Sequence, residues 1–190
     1  MRAGAARRTR RTHMRIVVSG THASGKSTLI SDFRAVRPQY VVLPDPFEDL
    51  DLDDPASEHS FAVQLRVTAA RLRESAAASA VICERGPLDF LAYLTALEEL
   101  GRSDGALLAR AAEIVEASMA AIDLVAIVPL DGSRPIHVTG DEDPALRVAM
   151  DEALVGLVDD LERAGSVPHV VTIVGSPEER LRLLLEASRG

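Results

Sequence analysis

Two rhythms of apolar residues alternate along the chain. Short unbroken runs, rich in Val and Ile, occupy residues 14–19, 40–43, 80–84, 124–128 and 170–174. Between them lie longer stretches whose apolar side chains recur every three or four residues. One carries Phe61, Leu65 and Leu72 on a face shared with Thr68; others carry Leu91, Leu94 and Leu97, or Leu146, Met150, Leu154, Leu157 and Leu161. Continuous runs suit strands buried on both faces, and the longer period suits helices. The pattern predicts five strands alternating with helices over residues 26–36, 57–78, 87–101, 104–121, from 144 onward, and 178–187. Local punctuation agrees. Arg37-Pro38 ends the first helix, Pro87 and Pro144 open later ones, and Ser176-Pro177 is an N-cap followed by proline.

Composition narrows the picture. Hydrophobic residues make up 47% of the chain but aromatics only 3%, so the core must be aliphatic. The 190 residues suit one α/β domain. No apolar run reaches the roughly 18 residues of a membrane span, so no membrane partner is expected. The single cysteine, Cys83, excludes an intramolecular disulfide and a cysteine-based zinc site, which points to a cytoplasmic setting. The net charge of −8 is unevenly placed. Five of the 21 basic residues fall in residues 1–13, which hold no acid; the remainder sets 16 basic against 29 acidic residues, a net −13. Residues 1–13 therefore read as a basic disordered tail and residues 14–190 as the domain. So acidic a body is not expected to bind nucleic acid.

The first strand leads directly into Gly20-Thr21-His22-Ala23-Ser24-Gly25-Lys26-Ser27-Thr28, and a helix follows. Gly-x4-Gly-Lys-Ser between a strand and a helix is the phosphate-binding P-loop pattern in the context it requires. Glycines keep Cβ atoms away from the phosphates. Inward-facing backbone N–H groups and the positive end of the helix then hold the anion. Lys26 is the chain's only lysine beside 20 arginines, and its compact ammonium suits the β- and γ-phosphates. Ser27 is the expected Mg²⁺ ligand, and the whole stretch Gly20 to Thr28 the expected ATP contact. The His22 side chain is expected to face solvent and has no assigned role. The predicted fold is a three-layer α/β/α P-loop NTPase with five parallel strands in the order 2-3-1-4-5.

Several P-loop classes fit poorly. The only lysine is already in the loop, so the Asn-Lys-x-Asp guanine motif of GTP switches is missing. A Leu-Ser-Gly-Gly transporter signature is absent, and no length remains for the helical lid domain of ring-forming ATPases. Small-molecule kinases need an acceptor base, a transition-state arginine and a polar lid. The third strand ends in Cys83-Glu84-Arg85. Glu84 occupies a Walker-B-like position, where it can hold a water on Mg²⁺. Arg85 can contact phosphate or acceptor, or simply pair with the acidic loop at residues 44–55. Residues 131–143, polar and containing Gly132, Arg134 and Gly140, are the expected lid, with Arg134 its phosphate-contacting arginine.

Four segments together resemble a known group: Gly-Thr-His-Ala-Ser-Gly-Lys-Ser-Thr at 20–28, Glu-Arg-Gly-Pro-Leu-Asp-Phe-Leu-Ala-Tyr at 84–93, Asp-Gly-Ser-Arg at 131–134 and Gly-Ser-Pro-Glu-Glu-Arg at 175–180. They are similar to the P-loop nucleoside-kinase-like family that includes the ribosylnicotinamide kinase domain of the bacterial NAD regulator. Deoxynucleoside kinases are a more distant likeness. They carry an acid–proline pair after the second strand, here Asp45-Pro46, and Glu-Arg-Ser after the third, here Glu84-Arg85-Gly86. Two departures stand out: Gly86 replaces the serine, and the lid region offers only Arg134 and, further on, Arg147.

The resemblance implies an ATP-dependent kinase fold without naming the acceptor. It implies that Asp45, otherwise a loop residue between two prolines, is a general base. It places Gln64 at the acceptor, although a core hydrogen bond would serve that amide equally well. Asp89 either orients Arg85 or caps its own helix. Gly175 and Ser176 lie where backbone groups meet adenine. The expected reaction moves the γ-phosphoryl of ATP, with Mg²⁺, to a hydroxyl of a small-molecule acceptor such as a nucleoside-like metabolite. Lys26, Asp45, Arg85 and Arg134 would be catalytic, and Asp45, Gln64, Arg85 and Asp89 would bind the acceptor. The alternative is a nucleotide-binding regulatory ATPase without such an acceptor. Either would work as a monomer or homodimer.

Overall fold

A computed structural model describes residues 14–48, 54–75, 80–130, 143–165 and 169–189. The expected basic tail and the expected lid at 131–142, Arg134 included, lie outside the described residues. Five strands follow the apolar runs: β1 (Arg15–Ser19), β2 (Val41–Leu43), β3 (Val81–Glu84), β4 (Leu124–Ile127) and β5 (His169–Thr172). Among the described residues six α-helices separate or follow them: α1 (Lys26–Val36), α2 (Glu58–Glu74), α3 (Pro87–Glu99), α4 (Leu108–Met119), α5 (Pro144–Arg163) and α6 (Pro177–Ala187). All strand pairs are parallel, in the order β2-β3-β1-β4-β5, as predicted.

The boundaries differ from expectation by local chemistry. Ser57 lies outside α2 as its N-cap, its Oγ accepting from Ser60 N at 3.2 Å. Asp143, the last residue of the expected lid, caps α5 by accepting from the N–H groups of Ala145 and Leu146 at 3.0 and 3.1 Å. Such caps contribute about 1 kcal/mol each. The helix expected from residue 104 starts at Leu108, after a turn in which Leu108 N donates to Gly105 O.

Unbroken apolar strands arise because the sheet is covered twice. Ile16, Val18, Ile82, Leu124, Ala126 and Val128 pack on one face with Leu29, Ile30 and Phe33 of α1 and Leu184 of α6. Val17, Val81, Cys83, Val125 and Ile127 pack on the other with α2 to α5. On that side α3 packs against α2, α4 and α5 and is itself buried almost all round. Leu154 and Met150 of α5 are fully buried there; truncating such a residue to Ala typically costs about 2–5 kcal/mol.

The strand order also decides which loops meet. β1 lies between β3 and β4, with Val18 opposite Glu84 and Ser19 opposite Ile127. The loops leaving β1, β2, β3 and β5 therefore converge at one edge, the carboxyl ends of parallel strands, where α/β sheets bind ligands.

Candidate active site

The glycine loop begins where β1 ends. A Cβ on Gly20 would stand 2.4 Å from the carbonyl oxygen of Val128, so no other residue fits without moving backbone. Gly25 is the N-cap of α1. Inside the loop, the Lys26 ammonium is buried and donates to Thr21 O at 2.6 Å. Burial first, and then the neighbouring Arg85, lower its pKa from 10.5 to about 7. An anion in the loop would relieve that penalty. The buried hydroxyls of Thr21 and Ser24 have no hydrogen-bond partner among the described residues. A cradle with an underpaired cation and two idle hydroxyls fits a polyphosphate. Ser27 Oγ donates to Glu84 Oε1 at 2.7 Å. The two residues expected to serve Mg²⁺ thus stand together, an oxygen donor set suited to that ion. Among the described residues there is no cluster of three or more His, Cys, Asp or Glu that would hold a metal without help from a substrate.

Arg85 follows β3 with φ +64°, a left-handed conformation uncommon outside glycine and often found at functional sites. Its guanidinium is buried and three of its five N–H groups are spent. Nε donates to Asp45 Oδ2 at 2.5 Å, Nη1 to the Tyr93 hydroxyl at 3.0 Å, and Nη2 to His22 Nδ1 at 3.1 Å. Burial opposes the charge, but Tyr93, Asp45 and Asp89 outweigh it and raise the pKa above the ordinary arginine value. Asp45 also accepts the Phe47 N–H at 3.1 Å. Asp45 and Arg85, from different strands, are therefore brought together, and Arg85 takes the ion-pair partner that the acidic loop could supply.

Gln64 is 1% exposed on α2, and its Nε2 has no partner among the described residues. Of the two roles open to that amide, a core hydrogen bond from Nε2 is not made. Beside it Phe61 stacks on Tyr93, rings 4.4 Å apart and 8° from parallel. The cavity behind Arg85, bounded by Pro44, Pro46, Thr68, Leu72 and Glu84, is only about 10 Å³. That is room for about one water.

Residues 15–180 match a protein family described as AAA domain. The chain belongs to that family. No curated protein matches this AAA-family chain. Among solved structures, deoxyadenosine kinase from M. mycoides with the products dCMP and a flexible dCDP bound superposes with a TM-score of 0.68 at 11% identity, covering 91% of this chain and 97% of that one. The same enzyme with bound dATP gives 0.67 at 14%, covering 91% and 98%. Thymidylate kinase from Candida albicans gives 0.61 at 15%, covering 92% and 90%. At these identities the likeness is one of fold.

Three expectations for this AAA-family domain need correction. Asp89 does not face a ligand. It is fully buried, its Oδ2 accepting from Ser19 Oγ and Gly86 N and its Oδ1 from Gly20 N, at 2.7, 2.8 and 2.8 Å. It caps α3 and fastens it to the root of the glycine loop, making no hydrogen bond to Arg85; burial raises its pKa against the pull of Arg85 and these donors. His22 does not face solvent: its half-buried ring lies 5.9 Å from both Phe47 and Tyr93. Part of the backbone of Gly175 and Ser176 is engaged within the protein. Ser176 N donates to Glu179 Oε2 at 2.7 Å in a capping box, and Gly175 O accepts from Arg180 Nε at 3.0 Å. Gly175 still edges a groove of about 190 Å³ beside the loop, formed with Gly25, Thr28, Leu29, Asp32 and Arg180.

Sequence reasoning missed Asp32, Arg180, Tyr93 and the part played by Arg147. Arg147 donates to His22 O and Ala23 O at 2.9 and 3.1 Å, and Arg180 Nη1 donates to Ser24 O at 2.8 Å. Two arginines from α5 and α6 thus hold the outer carbonyls of the loop. Arg180 and Tyr93 had a signal, as the last residues of the 175–180 and 84–93 segments, and Arg147 stood out only as an arginine beyond the lid. The departure at Gly86 has a steric cause. A Cβ there would meet Val17 Cγ1 at 2.6 Å, so the serine of the deoxynucleoside kinases does not fit beside this β1.

Proposed function

We propose that this protein transfers the γ-phosphoryl of ATP to a hydroxyl of a small, nucleoside-like metabolite. The observation that carries this reading is the buried Asp45–Arg85 pair, which His22 joins to the glycine loop. ATP would lie with its phosphates along Thr21 to Thr28 and its base in the groove by Asp32 and Gly175. Ser27, and Glu84 through water, would hold Mg²⁺, which supplies charge neutralisation at the phosphates. Phosphoryl transfer asks the protein mainly for positioning and for charge where the phosphoryl group moves. Lys26 and the two unspent N–H groups of Arg85 offer that charge. Asp45, whose oxygens keep lone pairs beyond the bonds to Arg85 and Phe47, would take the acceptor's proton. The Gln64 amide would read a polar group on the acceptor. Arg134 would join from the lid.

A second reading, a regulatory nucleotide-binding ATPase, is favoured by one observation. The space behind Arg85 is about 10 Å³, against about 300–1,000 Å³ for a small-molecule pocket. The kinase reading therefore requires the side chains around Arg85 to open when an acceptor enters.

A panel of nucleosides and ribosyl metabolites scored for ATP-dependent ADP release tests the choice. With an acceptor found, Asp45→Asn should slow single-turnover transfer by about 10²–10⁴-fold with ATP affinity little changed. Equal rates for Asp45→Asn and wild type would remove Asp45 from the mechanism. ATP hydrolysis that no acceptor accelerates would favour the regulatory reading.

A further inference from the structure

His22 stands between the two halves of the site. Three elements hold the Arg85 guanidinium: Asp45 after β2, Tyr93 on α3, and His22 in the glycine loop. Only His22 belongs to the phosphate cradle. We propose that His22 is a positioning residue that ties Arg85 to the glycine loop, so that a phosphate settling in the loop re-aims the guanidinium on the acceptor side.

The chemistry of the contact is directional. A guanidinium has no acceptor, so the 3.1 Å contact requires a bare Nδ1 lone pair on His22, with the ring proton on Nε2. A protonated imidazole would repel Arg85 instead of accepting from it. The surroundings favour the neutral ring: burial, then Arg85 and Lys26, with Arg147 adding to the effect, all disfavour a further positive charge there, and only Asp45 opposes them.

The ring is also held mechanically. Phe47 meets it edge-on, Tyr93 lies on another side, and Arg147 pins the carbonyls of His22 and Ala23. Ala23 is in the left-handed region at φ +49°, so the loop turns sharply just after the histidine. A movement of residues 21–24 therefore carries the imidazole with it, and the imidazole carries one corner of the guanidinium. A histidine that merely filled space would need no lone pair aimed at Arg85. That difference separates the proposal from simple packing.

The catalytic consequence rests on the phosphotransferase reading, whereas the tie itself does not. The test uses the full chain as wild type, His22→Asn, which keeps an acceptor oxygen on a short side chain, and His22→Leu, which keeps bulk without an acceptor. His22→Phe replaces the leucine variant should that one fail to fold. Side-chain ¹H–¹⁵N spectra report on Arg85, whose signals are identified by their loss in Arg85→Lys. Without ligand, wild type and His22→Asn should show distinct, slowly rotating Arg85 Nη signals, and His22→Leu averaged ones. On saturation with Mg²⁺ and a non-hydrolysable ATP analogue, those signals should shift in the first two proteins only, with analogue affinity equal within about threefold. Where transfer is measurable, His22→Leu should lower kcat about tenfold at unchanged KM for ATP, and His22→Asn should restore most of it. Arg85 signals identical in wild type and His22→Leu, in both states, would overturn the proposal. If the analogue does not bind wild type, the phosphotransferase reading falls instead. The ligand-free comparison then upholds or overturns the tie alone.

Discussion

The proposed nucleotide side and the proposed acceptor side of this site are built differently. The first is a backbone structure: a glycine loop rooted on β1, fastened by Asp89 and pinned by Arg147 and Arg180, opening on a groove of about 190 Å³. The second is a side-chain structure. Arg85, Asp45, Tyr93 and His22 come from four elements and bond to one another around the guanidinium, which also edges a cavity of about 10 Å³. A backbone cradle keeps its outline without a ligand, with only local adjustment at residues 21–24, because its polar groups are directed by helix and strand geometry. Long side chains in a buried cluster instead satisfy each other, since an unpaired buried charge is costly. On the reading proposed above, the nucleotide side is therefore preformed, and the side chains that would meet an acceptor are engaged with one another.

The largest expected effect tests the preformed side. Lys26→Ala should abolish stabilisation by Mg-ATP while leaving the fold intact, because the ammonium makes a single bond, to Thr21 O. At about 100-fold excess over Kd a ligand contributes about 2.7 kcal/mol. In a domain of this size that raises Tm by about 5–10 °C. Equal upshifts in mutant and wild type would remove the loop from nucleotide binding. A smaller effect concerns the base. The one lysine is buried in the loop, and none remains to complete a guanine-reading motif. Competition binding should favour ATP over GTP by about tenfold, about 1.4 kcal/mol; the opposite preference would reverse the assignment of the groove.

The proposed acceptor side is tested through Gln64. A buried amide without a partner costs about 1–3 kcal/mol, a cost that a ligand contact would justify. Gln64→Leu, of similar bulk, should raise stability in urea by about 1 kcal/mol and weaken acceptor binding. A loss of stability would mean that the amide serves the fold, and the contrast between the two sides would weaken.

How much was legible in the sequence follows the same division. The strand order, the loop and the Ser27–Glu84 pairing rest on local patterns: an apolar run, a glycine spacing, an acid at a strand end. Those patterns act within a few residues, and the sheet then brings them together. His22 and Asp32 carry no such signal. A histidine inside a phosphate loop reads as solvent-facing until Phe47, Tyr93 and Arg85 are seen around it. Asp89 was legible only as a choice between two roles. Its position as the third residue of α3 favours capping, and its two oxygens are taken by three other donors. Gly86 shows the converse: an odd residue in a motif whose cause, the Val17 side chain, sits on a neighbouring strand.

The smallest effect is a pH dependence at the junction of the two sides. In the folded protein burial, with Arg85 and Lys26 after it, lowers the His22 pKa from 6.5 to about 3. Between those values the unfolded chain binds a proton at this residue and the folded chain does not, so stability rises with pH across that window. Above about pH 6.5 the imidazole is neutral in both states and adds no dependence. As pH falls from 6.5 toward 3, the folded state loses ground, at a rate of at most about 1.4 kcal/mol per pH unit. The half-exposed part of the ring makes the real slope shallower. His22→Leu has no such group. The stability gap between wild type and His22→Leu, from urea unfolding at about pH 8, 7, 5.5 and 4.5, should therefore be constant down to about pH 6.5 and shift against wild type below it. Carboxylates shared by both proteins, the Asp45–Arg85 pair included, cancel in the difference to the extent that the leucine leaves them undisturbed. A gap unchanged down to about pH 4.5 would mean that His22 takes its proton as readily folded as unfolded. The lone pair would then not be committed to Arg85, and the direct tie between the guanidinium and the glycine loop would fall.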